Sequence, residues 1–175
     1  MTKALFWPFE NLMKNIEKGL PNPILVARRT NIKMKGKIVE GLGEGCTFTR
    51  LPWVRDQLIS KLSIDPFPGT LNLEISTGDD LENLERLRRM EGIEIIPEDP
   101  SFCRGKCYLA LVGGQLRGAV VVPEVPDYPN NKIELISGQN IKKSLFVKTG
   151  DLLEVQILLE NPTVKLHAPK GMASR

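Results

Sequence analysis

The sequence predicts a mainly β protein, a compact barrel with helical inserts, on three observations. Short stretches rich in Val, Ile and Leu recur from Met34 onward, several alternating apolar with polar residues. Glycine and proline turns separate them, among them Gly113-Gly114, the Pro66–Gly69 run and residues 123–131, PEVPDYPNN. Only two or three segments carry helical spacing, and no strand–helix–strand rhythm of a parallel sheet is present.

In chain order, Phe9, Leu12, Met13, Ile16 and Leu20 form one helical stripe, stopped by Gly19 and Pro21-Asn22-Pro23. Residues 24–34 read as a strand or extended arm. Residues 35–41 read as a strand, and Leu42-Gly43-Glu44-Gly45 as a glycine-rich loop. Thr49 is the expected N-cap of a helix through Leu62, with Leu51, Val54, Leu58 and Leu62 on one face. Thr70–Ile75 alternates as a strand. A charged helix over 79–90 starts at Asp79 or Asp80 and ends at Gly92. Strands follow over 93–96, 106–112, 117–122 and 132–136, then a short helix around 140–146, a turn over 148–151 and a last strand over 152–159. The domain reading is an N-terminal extension over 1–34, a barrel over 35–159 and a loose tail over 160–175.

Bulk composition excludes several functions. The chain has 175 residues, 41% hydrophobic and 26% charged, enough for one sizeable core. Its net charge of +3 argues against nucleic acid as a partner and mildly favours an anionic ligand. No window approaches the roughly 18 apolar residues of a membrane span, and no signal peptide is legible. Cys46, Cys103 and Cys107 form no paired framework, which points to a reducing cytoplasm. Three residues separate the last two, a poor spacing for zinc. His167 is the single histidine, so histidine-based nucleophile systems and metal centres are set aside.

Two stretches carry chemistry. In Gly41-Leu-Gly-Glu-Gly45 the backbone can approach a ligand closely and its N–H groups can cradle phosphate oxygens. The loop lacks the Gly-Lys-Ser/Thr ending of a Walker A motif and the spacing of a dinucleotide fingerprint, so by itself it is a turn as readily as a cradle. On a strand, Thr70 and Asn72 face one side and Leu71 and Leu73 the other. Their two neutral oxygens serve turn chemistry, the commoner role, or ligate a hard cation such as Mg²⁺ whose remaining ligands come from a nucleotide and water.

Taken together, KIVEGLGEG (37–45), DPFPGTLNL (65–73), GAVVVP (118–123), IELI (133–136) and TGD (149–151) occur in an order that resembles the CTP-dependent riboflavin kinases of archaea, a family of cradle-loop (RIFT-type) barrels. The resemblance covers residues 35–158, approximately. It implies a six-stranded barrel that transfers the γ-phosphoryl of CTP to the 5′-hydroxyl of riboflavin, giving FMN and CDP with Mg²⁺ as the metal. Carried over by position, Leu42, Gly43, Glu44, Gly45, Cys46 and Thr47 line the nucleotide phosphates. Gln139, Asn140, Ile141 and Lys142 form the far wall of the nucleotide site, Thr70 and Asn72 hold Mg²⁺, and Glu134 contacts the flavin. Glu134 is also in principle an acceptor for the hydroxyl proton.

The chain departs from the family at two positions. Pro126 lies near the place of a flavin-contacting Thr, and proline has no donor, so Asp127 or Tyr128 is the substitute. Lys142 lies near the place of a common Arg, whose planar two-pronged contact a lysine does not reproduce. The resemblance names no catalytic residue. The implied partners are the small molecules riboflavin and CTP, with no membrane. The alternative is a catalytically altered flavin- or nucleotide-binding module of the same fold, and a weaker third reading is a DNA-binding or assembly domain.

Overall fold

The computed structural model describes residues 32–41 and 44–158. The expected helix over 1–20, the arm up to residue 31 and the tail from 160 lie outside the described residues.

Among the described residues seven antiparallel strands form: β1 Lys33–Val39, β2 Leu71–Glu74, β3 Ile93–Ile95, β4 Gly105–Val112, β5 Leu116–Pro123, β6 Lys132–Ser137 and β7 Leu152–Ile157. Their order is β3-β4-β5-β6-β2-β1-β7, and β7 returns to pair with β4 through Val112↔Val155 and Ala110↔Ile157. Six strands therefore close into a barrel. β3 stays outside the ring, on the same edge of β4, where Ile93 faces Cys107 and Ile95 faces Gly105. Closure removes the open edges that make isolated sheets prone to further pairing.

Alternation decides what each strand face buries. Along β1 Met34, Gly36 and Ile38 point inward, while the intervening lysines face solvent. Gly36 is needed there, because a Cβ would lie 2.8 Å from Ile75 Cδ1 and 3.0 Å from Leu73 Cβ. The barrel interior joins Met34, Ile38, Leu71, Leu73, Tyr108, Val120, Leu135 and Val155 in one cluster. A second cluster lies on the outer wall, where Cys107, Leu109, Ala119, Val121 and Ile136 meet Val54, Leu58 and Leu62 of a covering helix. β4 and β5 are thus apolar on both faces, which explains their nearly continuous hydrophobic runs in an antiparallel sheet. The β4–β5 hairpin turns at Gly113 and Gly114, both with positive φ, 59° and 73°.

Among the described residues four helices attach to this barrel: α1 Glu44–Phe48, α2 Pro52–Leu62, α3 Gly78–Arg89 and α4 Ile141–Leu145. The helix expected from Thr49 begins later, at Pro52, and a separate short helix, α1, ends just before Thr49. Pro52 takes the first position of α2 and Leu51 is its N-cap, without a side-chain cap bond; proline's fixed φ and missing N–H suit that place. Thr49 instead sits between the two helices, 2% exposed. The charged helix expected over 79–90 is α3, begun by Thr77 rather than by an aspartate. Asp79 and Asp80 occupy its first turn and Arg86, Arg88 and Arg89 its last, the arrangement that complements the helix dipole. Asp80 Oδ1 accepts from Lys35 N at 3.0 Å, and Asn83 Nδ2 donates to Lys33 O at 2.9 Å. These bonds seat α3 on β1 and insert Leu84 and Leu87, both 0% exposed, into the interior cluster.

Leu84→Ala removes buried side-chain volume that α3 alone supplies. It is expected to cost about 2–5 kcal/mol in urea unfolding; a loss below about 1 kcal/mol would mean that α3 is not part of the core.

Candidate active site

The glycine stretch and the Thr70–Asn72 pair meet. A Cβ on Gly45 would fall 2.2 Å from Thr70 Oγ1, and a Cβ on Gly41 would fall 2.3 Å from Asn72 Nδ2. Both are far inside contact distance, so only glycine lets the backbone lie against these two side chains. Leu71 and Leu73 are buried while Asn72 and Glu74 are half-buried, so β2 turns its polar parity to the outer wall. In register, Asn72 stands opposite Val39 on β1 and opposite Glu134 on β6. Paired residues on neighbouring strands share a face, which brings Asn72 and Glu134 to the same patch.

Two cavities open beside this patch. The larger, of about 530 Å³, is bounded by the outer wall of β4–β6 and by α1 and α2. Phe48, Leu58, Phe102, Val121 and Ile136 make it mostly apolar, and Thr47, Thr70 and Glu134 are among its polar lining. Phe48, Trp53 and Phe102 pack edge to face along one side, with centroids 5.9 and 5.7 Å apart. The smaller cavity, of about 210 Å³, is lined by Pro68, Gly69, Thr70, Gln139, Asn140, Ile141 and Lys142, among others. Thr70 borders both.

A bridge that the sequence reading missed holds the two sides of the patch together. Thr49 Oγ1 donates to Gly45 O at 2.9 Å and accepts from Gly69 N at 2.9 Å. It ties α1 to the proline–glycine turn directly before Thr70, where Gly69 adopts φ of 115°. No motif marks a buried threonine of this kind; its only signal is a hydroxyl at a break between apolar segments. Arg55 secures the same turn from α2 by a two-pronged pair with Asp65, at 2.7 Å through both nitrogens.

The far wall is built by α4 and the 148–151 turn. Asn140 caps α4 by accepting from Lys143 N at 3.0 Å, and Gln139 Oε1 accepts from Ser144 Oγ at 3.0 Å. Lys142 Nζ donates to Thr149 Oγ1 at 2.9 Å and lies 3.6 Å from Glu40 Oε1. Thr149 Oγ1 in turn donates to Glu40. The Thr149 hydroxyl, with the Lys142 ammonium behind it, holds the Glu40 carboxyl below the usual range.

At the other end of the patch, Tyr128 OH donates to Glu134 Oε1 at 3.3 Å. Burial, with the Glu134 charge adding to it, pushes the phenol of Tyr128 up, so it remains a donor. Arg88 Nη2 donates to Asn130 O at 3.2 Å and anchors the loop that carries Tyr128. Pro126 is exposed and borders neither of these two cavities; Val125 borders the larger one. Among the described residues, no group of three or more His, Cys, Asp or Glu side chains is placed to hold a metal ion.

Of the residues named from the sequence, Gly45, Thr47, Thr70 and Glu134 line the larger cavity, and Thr70 with Gln139, Asn140, Ile141 and Lys142 lines the smaller. Asn72 lies at Gly41 and borders neither. Cys46, in α1, borders neither. Leu42 and Gly43 lie outside the described residues, as does the side chain of Glu44. Glu44 and Gly45, expected in a loop, belong to the first turn of α1. Cys107 is buried in the outer-wall cluster, and burial pushes its thiol up to about 12, which makes it an inert packing residue.

A closed barrel with its polar patch on the outer wall, covered by two helices and a glycine backbone, defines a cradle-loop barrel. The family model CTP-dep_RFKase, described as a domain of unknown function, DUF120, matches residues 38–157. The chain belongs to this family. It is 38% identical over 130 residues to the riboflavin kinase of Methanosarcina barkeri, covering 72% of this chain and 56% of that protein. It is 37% identical over 131 residues to the riboflavin kinase of Archaeoglobus fulgidus, covering 73% and 55%. The chain thus spans about half the length of these two relatives. It is also 33% identical over 154 residues to the riboflavin kinase of Sulfolobus acidocaldarius, covering 86% and 95%.

Thr49→Val keeps the shape of the bridge but leaves the Gly69 N–H without its acceptor. A loss of about 1–3 kcal/mol is expected in chemical unfolding. A change under about 0.5 kcal/mol would show that the two halves of the patch are held together by something else.

Proposed function

We propose that this protein is a CTP-dependent riboflavin kinase. The observation that carries the reading is the position of Thr70, which borders a mostly apolar cavity on one side and, on the other, a smaller cavity whose lining includes Ser137, Gln139, Asn140 and Lys142. An isoalloxazine ring needs an apolar slot of the first kind. A triphosphate needs backbone donors and cations, of the kind that the glycine stretch and Lys142 offer. The names of the three relatives support the flavin substrate, and the name of the family supports CTP.

In the proposed reaction the 5′-hydroxyl oxygen of riboflavin forms a bond to the γ-phosphorus of CTP. The bond from that phosphorus to the β,γ-bridging oxygen breaks, CDP leaves with the electron pair, and the hydroxyl proton is released. The protein's part is positioning and charge neutralisation. The larger cavity holds the flavin ring, with Glu134 steadied by Tyr128. In place of the lost contact at Pro126, the Tyr128 hydroxyl is the group that faces the flavin carboxylate partner. Gly45, Cys46 and Thr47, together with Leu42, Gly43 and Glu44, take the phosphates, and Gln139 to Lys142 take the far side of the nucleotide.

Thr70 and Asn72 suit Mg²⁺: they supply two neutral oxygens at one strand end, no cluster of three or more acidic, His or Cys side chains competes among the described residues, and the triphosphate brings the negative charge. When bound, Mg²⁺ neutralises charge on the phosphate oxygens. No described helix is long and apolar enough to cross a membrane. The three free cysteines accord with a reducing, cytoplasmic setting.

The test is purified protein with riboflavin and Mg²⁺, given either CTP or ATP, with FMN followed by chromatography. FMN formed with CTP and not with ATP is the expected result. Thr70→Ala and Asn72→Ala are each expected to lower turnover on the order of 100-fold or more while the folded spectrum is kept. Flavin binding without FMN would favour the binding-module reading, and full activity in both variants would remove the metal assignment.

A further inference from the structure

Glu40 belongs to none of the groups assigned above. It follows Val39, the β1 residue that pairs with Asn72, and directly precedes Gly41, which lies against the Asn72 amide. Its carboxylate therefore stands at the same strand end as the proposed phosphate cradle. The 148–151 turn is fixed to that end by two backbone bonds, Gly150 N to Ile38 O and Ile38 N to Asp151 O, both 2.8 Å. This brings Thr149 to Glu40, and Thr149 brings Lys142.

Lys142 is thus shared between two environments. Lys142 lines the smaller cavity beside Thr70, yet its ammonium is held by Thr149 at 2.9 Å and lies 3.6 Å from Glu40, two residues that do not line that cavity. A lysine on a four-carbon stem is a mobile point charge that turns to the strongest anion in reach. Without a nucleotide that anion is Glu40; a triphosphate carries several times the charge.

We propose that Glu40 is a positioning residue that parks the Lys142 ammonium beside the nucleotide site, so that the phosphates of an incoming nucleotide must take Lys142 from it. Glu40 thereby sets nucleotide affinity below what the cradle alone would give, and it keeps the charged wall in place between turnovers. The inference rests on the nucleotide reading given above.

The test uses equilibrium binding of CDP with Mg²⁺ to the full chain, in four proteins: wild type, Glu40→Gln, Lys142→Met and the double variant. Glu40→Gln is expected to bind CDP about two- to fivefold more tightly, the range that an exposed pair of charges commands. Lys142→Met binds more weakly, and in its background the gain from Glu40→Gln disappears, because the effect passes through the lysine. Glu40→Asp, which keeps the charge, restores affinity toward wild type. A merely structural role for Glu40 predicts the opposite sign, weaker binding in Glu40→Gln. That result, an unchanged affinity, or a gain that persists without Lys142 would each overturn the proposal. A wild type that makes FMN from CTP while Glu40→Gln binds CDP no better removes this inference alone. A wild type that binds no cytidine nucleotide removes the kinase reading and this inference with it.

Discussion

The contact between the glycine backbone and the outward side chains of β2 is the constraint on which the site depends. Gly41 and Gly45 approach Asn72 and Thr70 so closely that no side chain fits between them. Backbone N–H groups and side-chain oxygens can then act on one ligand only because nothing intervenes. The approach demands that β1, β2, α1 and the turn at Gly69 be held in fixed relation. β1 and β2 are fixed by the barrel register, and α1 is fixed to the turn by the Thr49 hydroxyl.

Two hydrophobic layers make that rigidity affordable. The interior cluster holds the six strands in a closed ring, sealed in part by Leu84 and Leu87 of α3. The outer cluster presses α2 onto β4, β5 and β6, and in doing so roofs the larger cavity. Each fully buried aliphatic side chain contributes about 1.5–3 kcal/mol, so these layers outweigh the exposed ion pairs at the rim. The rim pairs act on position and charge instead. Arg55–Asp65 holds a turn, Arg88 holds the loop of Tyr128, and Glu40 with Thr149 holds Lys142.

Much of this was legible in the sequence. Every strand among the described residues was located to within a few residues, because period-two alternation and Gly or Pro punctuation are local signals. The shared face of Thr70 and Asn72 followed from strand parity alone. The apolar runs of β4 and β5, such as GAVVVP, were read only as strands; their burial on both faces emerges once α2 covers the outer wall. Other features were not legible, because they arise from distant chain segments meeting. Thr49 resembles an N-cap by type and becomes an interior bridge because Pro52 starts the next helix and Gly69 lies near in space. Glu40 and Lys142 are separated by a hundred residues and are joined by a turn pairing that no local pattern encodes. Pro126 was assigned by its position in a motif; it borders neither of the two cavities, whereas Val125 borders the larger one and the Tyr128 hydroxyl reaches Glu134.

The most direct measurement is CDP binding by Gly45→Ala, with Gly78→Ala as its control. A Cβ at Gly78 meets open space, with nothing within 4 Å, whereas one at Gly45 meets Thr70. Alanine is a better helix former than glycine, so α1 itself should not suffer. A folded Gly45→Ala protein that loses on the order of tenfold or more in CDP affinity, beside a Gly78→Ala protein that keeps it, is the result expected. Equal CDP affinity in both variants would contradict a nucleotide site built on backbone lying against Thr70.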